Sequence, residues 1–329
     1  MNDAKNFLLK LGIILLATLG PIAAYNLLAD PYGVFRKDFS IGLKVEPDQR
    51  FIKMRYVLSR PDRYDSFLFG SSRVGNIDTE KIPADRFYNM SYSEGLPAEH
   101  LKDIRLMMKS GVKIRRLLIG LDDLSYSIDP KQHENQPMRR AYPGRSGLAF
   151  FYLRYLVLVP DLTVMAALAS RPRFLNFYDI TNSGRVLHKE VDDWIDAHPR
   201  EHAEDPRFKS APFRPAYASR TEAVLKEIGQ IRDFAGEHGI DLVFFINPVH
   251  SAMRLSINQA EFSNFLEKLS AVVPFYDFSG PGPVTSDSAY FYEPSHYRPI
   301  VGDMIVGRIY GTGRGEKTAG FGVLVRQTK

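Results

Sequence analysis

The longest apolar stretch of the chain lies near its start. Residues 11–29, LGIILLATLGPIAAYNLLA, are nineteen consecutive uncharged positions. As a helix rising 1.5 Å per residue, they reach roughly 28 Å, about the thickness of a bilayer core. No polar face interrupts the run, which sets it apart from a buried core helix. Lys5 and Lys10 precede it and Asp30 follows it. Positive charge ahead of the run keeps the N-terminus in the cytoplasm and places everything after residue 30 on the extracytoplasmic, periplasmic side. A cleaved signal peptide is the rival reading, with Ala23 and Ala24 as its small residues. The run is long for a signal core and stays apolar to Ala29, so residues 1–30 are read as an uncleaved anchor that Pro21 can kink.

Beyond the turn-rich exit Asp30–Phe35, short apolar runs alternate with helical periods. Ser66–Phe69, Phe87–Met90, Arg116–Leu121, Leu242–Ile246 and Val273–Phe278 read as strands. Residues 97–110 carry Leu101, Ile104 and Met108 on one side. Residues 221–236 repeat Val224, Leu225, Ile228, Ile231 and Phe234, an amphipathic helix. Further helices are expected over 258–270 and 297–310. Strands separated by helices predict an α/β domain over 31–311: an open parallel sheet with helices on both faces.

Residues 127–215 interrupt this rhythm. Within 131–185 stand eight Lys/Arg against three Asp/Glu, a net +5. The insertion also holds an apolar segment at 148–169, broken by Arg154, Pro160 and Asp161, so a second membrane span is not expected. A helical insertion packed on the main domain is one reading; a cap that shapes the substrate site or lies near a membrane is the other. The Gly-rich stretch from 311 predicts a mobile tail over 312–329.

Composition narrows the chemistry. The chain has 329 residues, 44% hydrophobic and 25% charged, a globular balance. Its net charge of +5 is modest for a nucleic-acid binder, and no nucleic-acid partner is expected. With no cysteine, thiolate metal sites, cysteine nucleophiles and disulfides are excluded. No Walker-type phosphate loop occurs, and no cofactor or metal is expected; Asp192, Asp193 and Asp196 with His198 read as a solvated acidic helix face.

Gly70-Ser71-Ser72-Arg73 falls where the first strand ends, at the sheet edge where open α/β proteins bind ligands. A serine nucleophile needs a base within hydrogen-bond reach and an acid to orient that base. Tyr290-Phe291-Tyr292-Glu293-Pro294-Ser295-His296-Tyr297 supplies both, a carboxylate three residues before a histidine, in a Pro-bent loop ahead of the last helix. His250, after the Leu242–Ile246 strand, either lines the same edge or faces solvent.

These blocks resemble the SGNH, or GDSL-type, hydrolase superfamily over residues 64–126 and 220–310. Gly70-Ser71-Ser72 is similar to its first block, with Ser72 in the nucleophile's place. Glu293-Pro294-Ser295-His296 is similar to its last block, with Glu for Asp. The second block, which supplies a glycine, falls in Asn89–Gly95 with Gly95 as its glycine. The third, Gly-x-Asn-Asp in the family, stands here as Gly120-Leu121-Asp122-Asp123. Asp122 occupies the place of an oxyanion-holding Asn, where an ionised carboxylate would repel the developing charge. Backbone N–H groups at Ser72 and Gly95, or the side chains of Asn76 or Asn89, are the substitutes.

The resemblance implies a flavodoxin-like three-layer fold and a triad of Ser72, His296 and Glu293. Membrane-anchored members of similar layout include alginate O-acetylation and teichoic-acid D-alanyl transfer proteins. They imply a serine-dependent O-acyl transferase or esterase acting on a cell-envelope glycan or polymer, beside a polytopic membrane acyl donor. The alternative is a non-catalytic SGNH-like module that binds glycan or organises an envelope assembly.

Overall fold

The computed structural model of the chain describes residues 2–39, 44–83, 85–133, 136–170, 177–213, 218–312 and 320–326. Ten strands are described: β1 Ser66–Phe69, β2 Phe87–Asn89, β3 Arg116–Leu121, β4 Phe177–Tyr178, β5 Val186–Leu187, β6 Asp241–Ile246, β7 Phe275–Asp277, β8 Phe291–Glu293, β9 His296–Tyr297 and β10 Val323–Val325. Six of them form one sheet in the order β10-β7-β6-β3-β1-β2, with β4-β5 and β8-β9 as separate hairpins. Every neighbouring pair in the large sheet is parallel except β10 with β7.

The strands are short and nearly all apolar because both faces of the sheet are covered. Successive residues point to opposite sides. Phe67, Phe69, Leu117, Ile119, Phe244 and Ile246 join one core with the helices Gln49–Leu58, Pro97–Lys109, Thr221–Glu237 and Gln259–Val272. Leu68, Leu118 and Phe245 join a second core with the helix Pro299–Tyr310, through Val301, Ile305 and Val306. The chain is thus α/β, a mostly parallel six-stranded sheet flanked by helices.

The chain leaves β1 toward β2 on one side and returns to β3 on the other. This reversal of strand order opens a crevice at the carboxyl ends of β1 and β3, where ligands bind in open α/β sheets.

The helix Asn2–Ala29 is long and apolar enough to span a membrane, and its apolar window is not buried by the rest of the protein. The insertion packs on the main domain. Phe151 stacks on Phe51 at 4.2 Å, and the Tyr155 hydroxyl donates to Asp48 Oδ2 at 2.8 Å. Edge strand β2 is shielded too, its Asn89 N–H donating to Ser183 O at 2.8 Å.

Two expectations need correction. The tail is not simply mobile: after the undescribed residues 313–319, Val323–Val325 pairs antiparallel with Phe275–Asp277 as a sixth strand, fixed by Arg308 Nε donating to Gly322 O. Three apolar residues behind a glycine-rich stretch are enough to extend an open sheet edge. The Glu293–His296 segment is not an open loop but the turn of the β8-β9 hairpin, with Glu293 opposite His296.

Candidate active site

Three glycines bring the strand ends together. A Cβ on Gly95 would lie 2.5 Å from Gly70 O, and one on Gly120 would lie 2.5 Å from Val74 Cγ1. Only hydrogen fits, so the chain after β1 can turn at once. Ser71 caps the 3-10 helix Ser72–Asn76 and donates its hydroxyl to Asp122 Oδ2 at 2.6 Å. Ser72 begins that helix, so its own N–H has no partner within it and its side chain is turned into the crevice.

Ser72 Oγ stands 2.8 Å from His296 Nε2. On the other side of the imidazole, Nδ1 is hydrogen-bonded to Glu293 Oε1. Glu293 Oε2 accepts from the Ser295 N–H at 2.9 Å. An ionised carboxylate only accepts, so Nδ1 carries the proton and Nε2 is left to accept from the Ser72 hydroxyl. Burial alone would raise the Glu293 carboxyl. The hydrogen bond from His296, the attraction of that ring whenever it is protonated, the Ser295 N–H and the Arg73 guanidinium outweigh it and hold the group below its ordinary value.

No protein-family model matches this chain, and no curated protein is similar enough to match it. What the site can do follows from its own geometry.

The crevice holds about 490 Å³. Ser72, Asn76, Glu293 and His296 line one part of it. Glu46, Gln49, Ser93 and Glu94 form a second wall, and the insertion supplies a third through Tyr178, Val186, His188 and Val191. The insertion thus both packs on the main domain and lines this crevice. His188 packs edge-on against Tyr292 with ring centroids 4.9 Å apart. Its imidazole is pushed down to about 4, by burial first and then by the charge of His296, against the pull of Asp192.

Of the other expected site residues, Asn76 lines the crevice and the rest are held elsewhere. Asp122 is buried and faces away from the crevice: besides Ser71, it accepts from the Leu124 N–H at 3.1 Å and lies 3.4 Å from Arg73 Nη1. It caps the helix Asp123–Ser127 and anchors the Ser71–Ser72 turn, so its carboxylate is engaged away from Ser72 Oγ. Asn89 donates to Val74 O at 2.8 Å and accepts from the Ser91 N–H, bracing the Ser72–Asn76 turn from behind. The Gly95 N–H donates to Tyr92 O. Asn76 does line the crevice, with Nδ2 on Tyr297 O at 3.1 Å and a buried Oδ1 that has no partner among the described residues. His250 is outside it. Its ring accepts from the Ala252 N–H and packs against Phe208 and Phe291, while its backbone N–H donates to Pro294 O at 2.9 Å. It supports the hairpin turn without lining the crevice at Ser72.

The acidic helix face is also not simply solvated. Arg298 pairs with Asp192 and Asp196 at 2.8 Å each, and the Tyr292 hydroxyl donates to Asp192 at 2.7 Å, tying the insertion to the hairpin. Among the described residues, no three His, Asp or Glu side chains gather to hold a metal ion. Sequence reasoning missed Glu46, Gln49, His188 and Arg73. Only Arg73 had a local signal, its place next to Ser72.

Proposed function

We propose that this protein is a serine-dependent O-acyl transferase or esterase of SGNH type, held in a membrane by its N-terminal helix and acting on a cell-envelope glycan outside the cytoplasm. One observation carries the reading: Ser72 Oγ lies 2.8 Å from a His296 nitrogen whose ring is oriented by Glu293. In this mechanism Ser72 Oγ attacks the acyl carbonyl while His296 Nε2 takes its proton, and Glu293 offsets the imidazolium charge. The tetrahedral intermediate collapses as His296 returns the proton to the departing alcohol oxygen. A second hydroxyl, from a sugar or from water, then takes the acyl group by the same steps in reverse. The Ser72 N–H is the oxyanion donor best placed for this chemistry.

The crevice walls carry Glu46, Glu94 and Glu293, while Arg73 is already engaged by Asp122 and Asp123. Such a site suits a neutral polyhydroxyl acceptor better than a phosphate or uronate polymer. A polytopic membrane protein is the source of acyl groups in this reading.

The competing reading is a glycan-binding module without catalysis. It draws support from the engagement of the Asp122, Asn89 and Gly95 groups in structural hydrogen bonds, which leaves few oxyanion donors. Labelling of the full-length protein with a fluorophosphonate decides between them. The catalytic reading expects covalent labelling that Ser72→Ala abolishes; unlabelled folded wild type would establish the binding module.

A further inference from the structure

The crevice leaves the apolar half of the insertion unexplained. The helix Leu162–Ala169, LTVMAALA, has no charged residue, and not one of its side chains is buried. A helix apolar on every side belongs in an apolar surrounding, and this one is not in the protein core. Next to it, Phe150, Leu153 and Val159 are exposed, and Leu162 itself is 79% exposed. An apolar surface of this kind marks a site of association.

Its position indicates with what. Asn26, in the last turn of the membrane-length helix, is buried and donates to Leu156 O at 3.0 Å and Leu158 O at 2.7 Å. Asn26 is three residues, or roughly 5 Å of helix, from Ala29. The 156–158 turn is thereby pinned at the level where the Asn2–Ala29 helix leaves the hydrocarbon. The exposed Leu27 and Leu28 continue the apolar surface. Both ends of Leu162–Ala169 are satisfied without solvent: Asp161 accepts from the Thr163 and Val164 N–H groups, and Lys44 Nζ donates to Leu168 O and Ser170 O. Sparse water demands such capping. Arg154, exposed on the same segment, has the reach to extend toward lipid phosphates.

We propose that residues 148–169 form an interfacial hairpin seated in the lipid surface beside the N-terminal helix. The domain then has two points of attachment to the bilayer, which fixes its tilt and the height of the Ser72 crevice above the membrane. This rests on the reading that Asn2–Ala29 spans the membrane.

The test uses the full-length protein in nanodiscs of phosphatidylethanolamine and phosphatidylglycerol. The chain has no cysteine, so Leu16→Cys, Val159→Cys, Leu162→Cys and Leu255→Cys each carry one thiol for an environment-sensitive fluorophore. Leu255, 78% exposed and outside the segment, is the aqueous control. Labels at Val159 and Leu162 should lose emission to spin-labelled lipid about as strongly as the label at Leu16, and should resist aqueous iodide; the label at Leu255 should do the reverse. Iodide access at Leu162 with lipid quenching at Leu16 would overturn the proposal and leave the spanning helix intact. Loss of lipid quenching at Leu16 would overturn the spanning reading itself. Iodide access in nanodiscs combined with protection in native membranes would assign the surface to a protein partner and overturn the lipid assignment.

Discussion

Arg73 grips Ser295, the residue immediately before the catalytic histidine of the proposed triad. Its Nε and Nη2 donate to Ser295 Oγ at 3.3 and 3.2 Å, while Nη1 donates to Asp123 Oδ1 at 2.6 Å. The guanidinium is 1% exposed, and Asp122 and Asp123 are each 3% exposed. One buried side chain thus fastens three segments together: the turn bearing Ser72, the end of β3, and the hairpin turn bearing Glu293 and His296. A planar fork with several donors suits this role better than a lysine ammonium.

Removing that fork should cost both stability and alignment. Arg73→Met leaves two carboxylates buried beside an apolar group, a change expected to destabilise by about 3–5 kcal/mol. Arg73→Lys keeps the charge and should lose less. Urea denaturation of the detergent-solubilised variants measures this, and fluorophosphonate labelling rates report whether Ser72 and His296 stay aligned. A Met variant as stable as wild type would show that the network is not holding the site together.

The Ser72, His296 and Glu293 side chains should behave as a unit. Ser72→Ala and His296→Ala are each expected to abolish most acyl release or transfer, and the double variant should be hardly worse than either. Glu293→Gln preserves shape but lets the amide donate to Nδ1, favouring the wrong tautomer; a loss of up to about 10⁴-fold is expected. Additive losses across the series would mean that the three do not act on the same step.

The strands around the crevice were legible because fully buried parallel strands are short apolar runs, and the meeting of Ser72, His296 and Glu293 was legible because these residues stand in fixed order at strand ends. The helix Gln49–Leu58 was not. Its inward face includes Arg50 and Lys53, which the apolar pattern scores as solvent-facing. Arg50 is in fact buried against Glu99 and Asp103, and Lys53 Nζ donates to Ser91 O at 2.6 Å. Burying paired charges erases the amphipathic signal. The crevice walls were equally hidden: Glu46, His188 and Ser72 meet only through tertiary packing, and no local spacing announces that. The misreading of Asp122 has a similar origin. Its place in the third block was clear, but not the Ser71 hydroxyl and Leu124 N–H that turn it away.

Gly95 provides a test of the backbone packing under the proposed nucleophile, Ser72. An added methyl would meet Gly70 O at 2.5 Å and His100 Cε1 at 2.8 Å. His100 is buried, and Gly70 directly precedes the Ser71–Ser72 turn, so neither can move freely. Gly95→Ala should therefore destabilise by about 1–3 kcal/mol and slow Ser72 labelling as well, because relief of the clash displaces Gly70. Measuring denaturation midpoint and labelling rate on the same sample checks both; an unchanged rate with an unchanged midpoint would refute the close approach.

His188 should make the protein sensitive to mild acid. Its imidazole is pushed down to about 4 in the folded protein, first by burial and then by the charge of His296, with Asp192 opposing. In the unfolded chain it returns to roughly 6.5. Between these values the unfolded state binds the extra proton, so this contribution is fully present above pH 6.5 and is lost as pH falls toward 4. With the ring still partly open to solvent, the loss is on the order of 2 kcal/mol. Asp48, pushed up to about 7 by burial, acts with the opposite sign over the same window, so the wild-type curve alone does not isolate His188. Comparison with His188→Gln does. Urea denaturation at pH 7 and pH 4.5 should show wild type losing more stability on acidification than the variant, by roughly that amount. Parallel losses in the two proteins would mean that His188 is as easily protonated in the crevice as in water, and that the insertion does not seal this wall of the site.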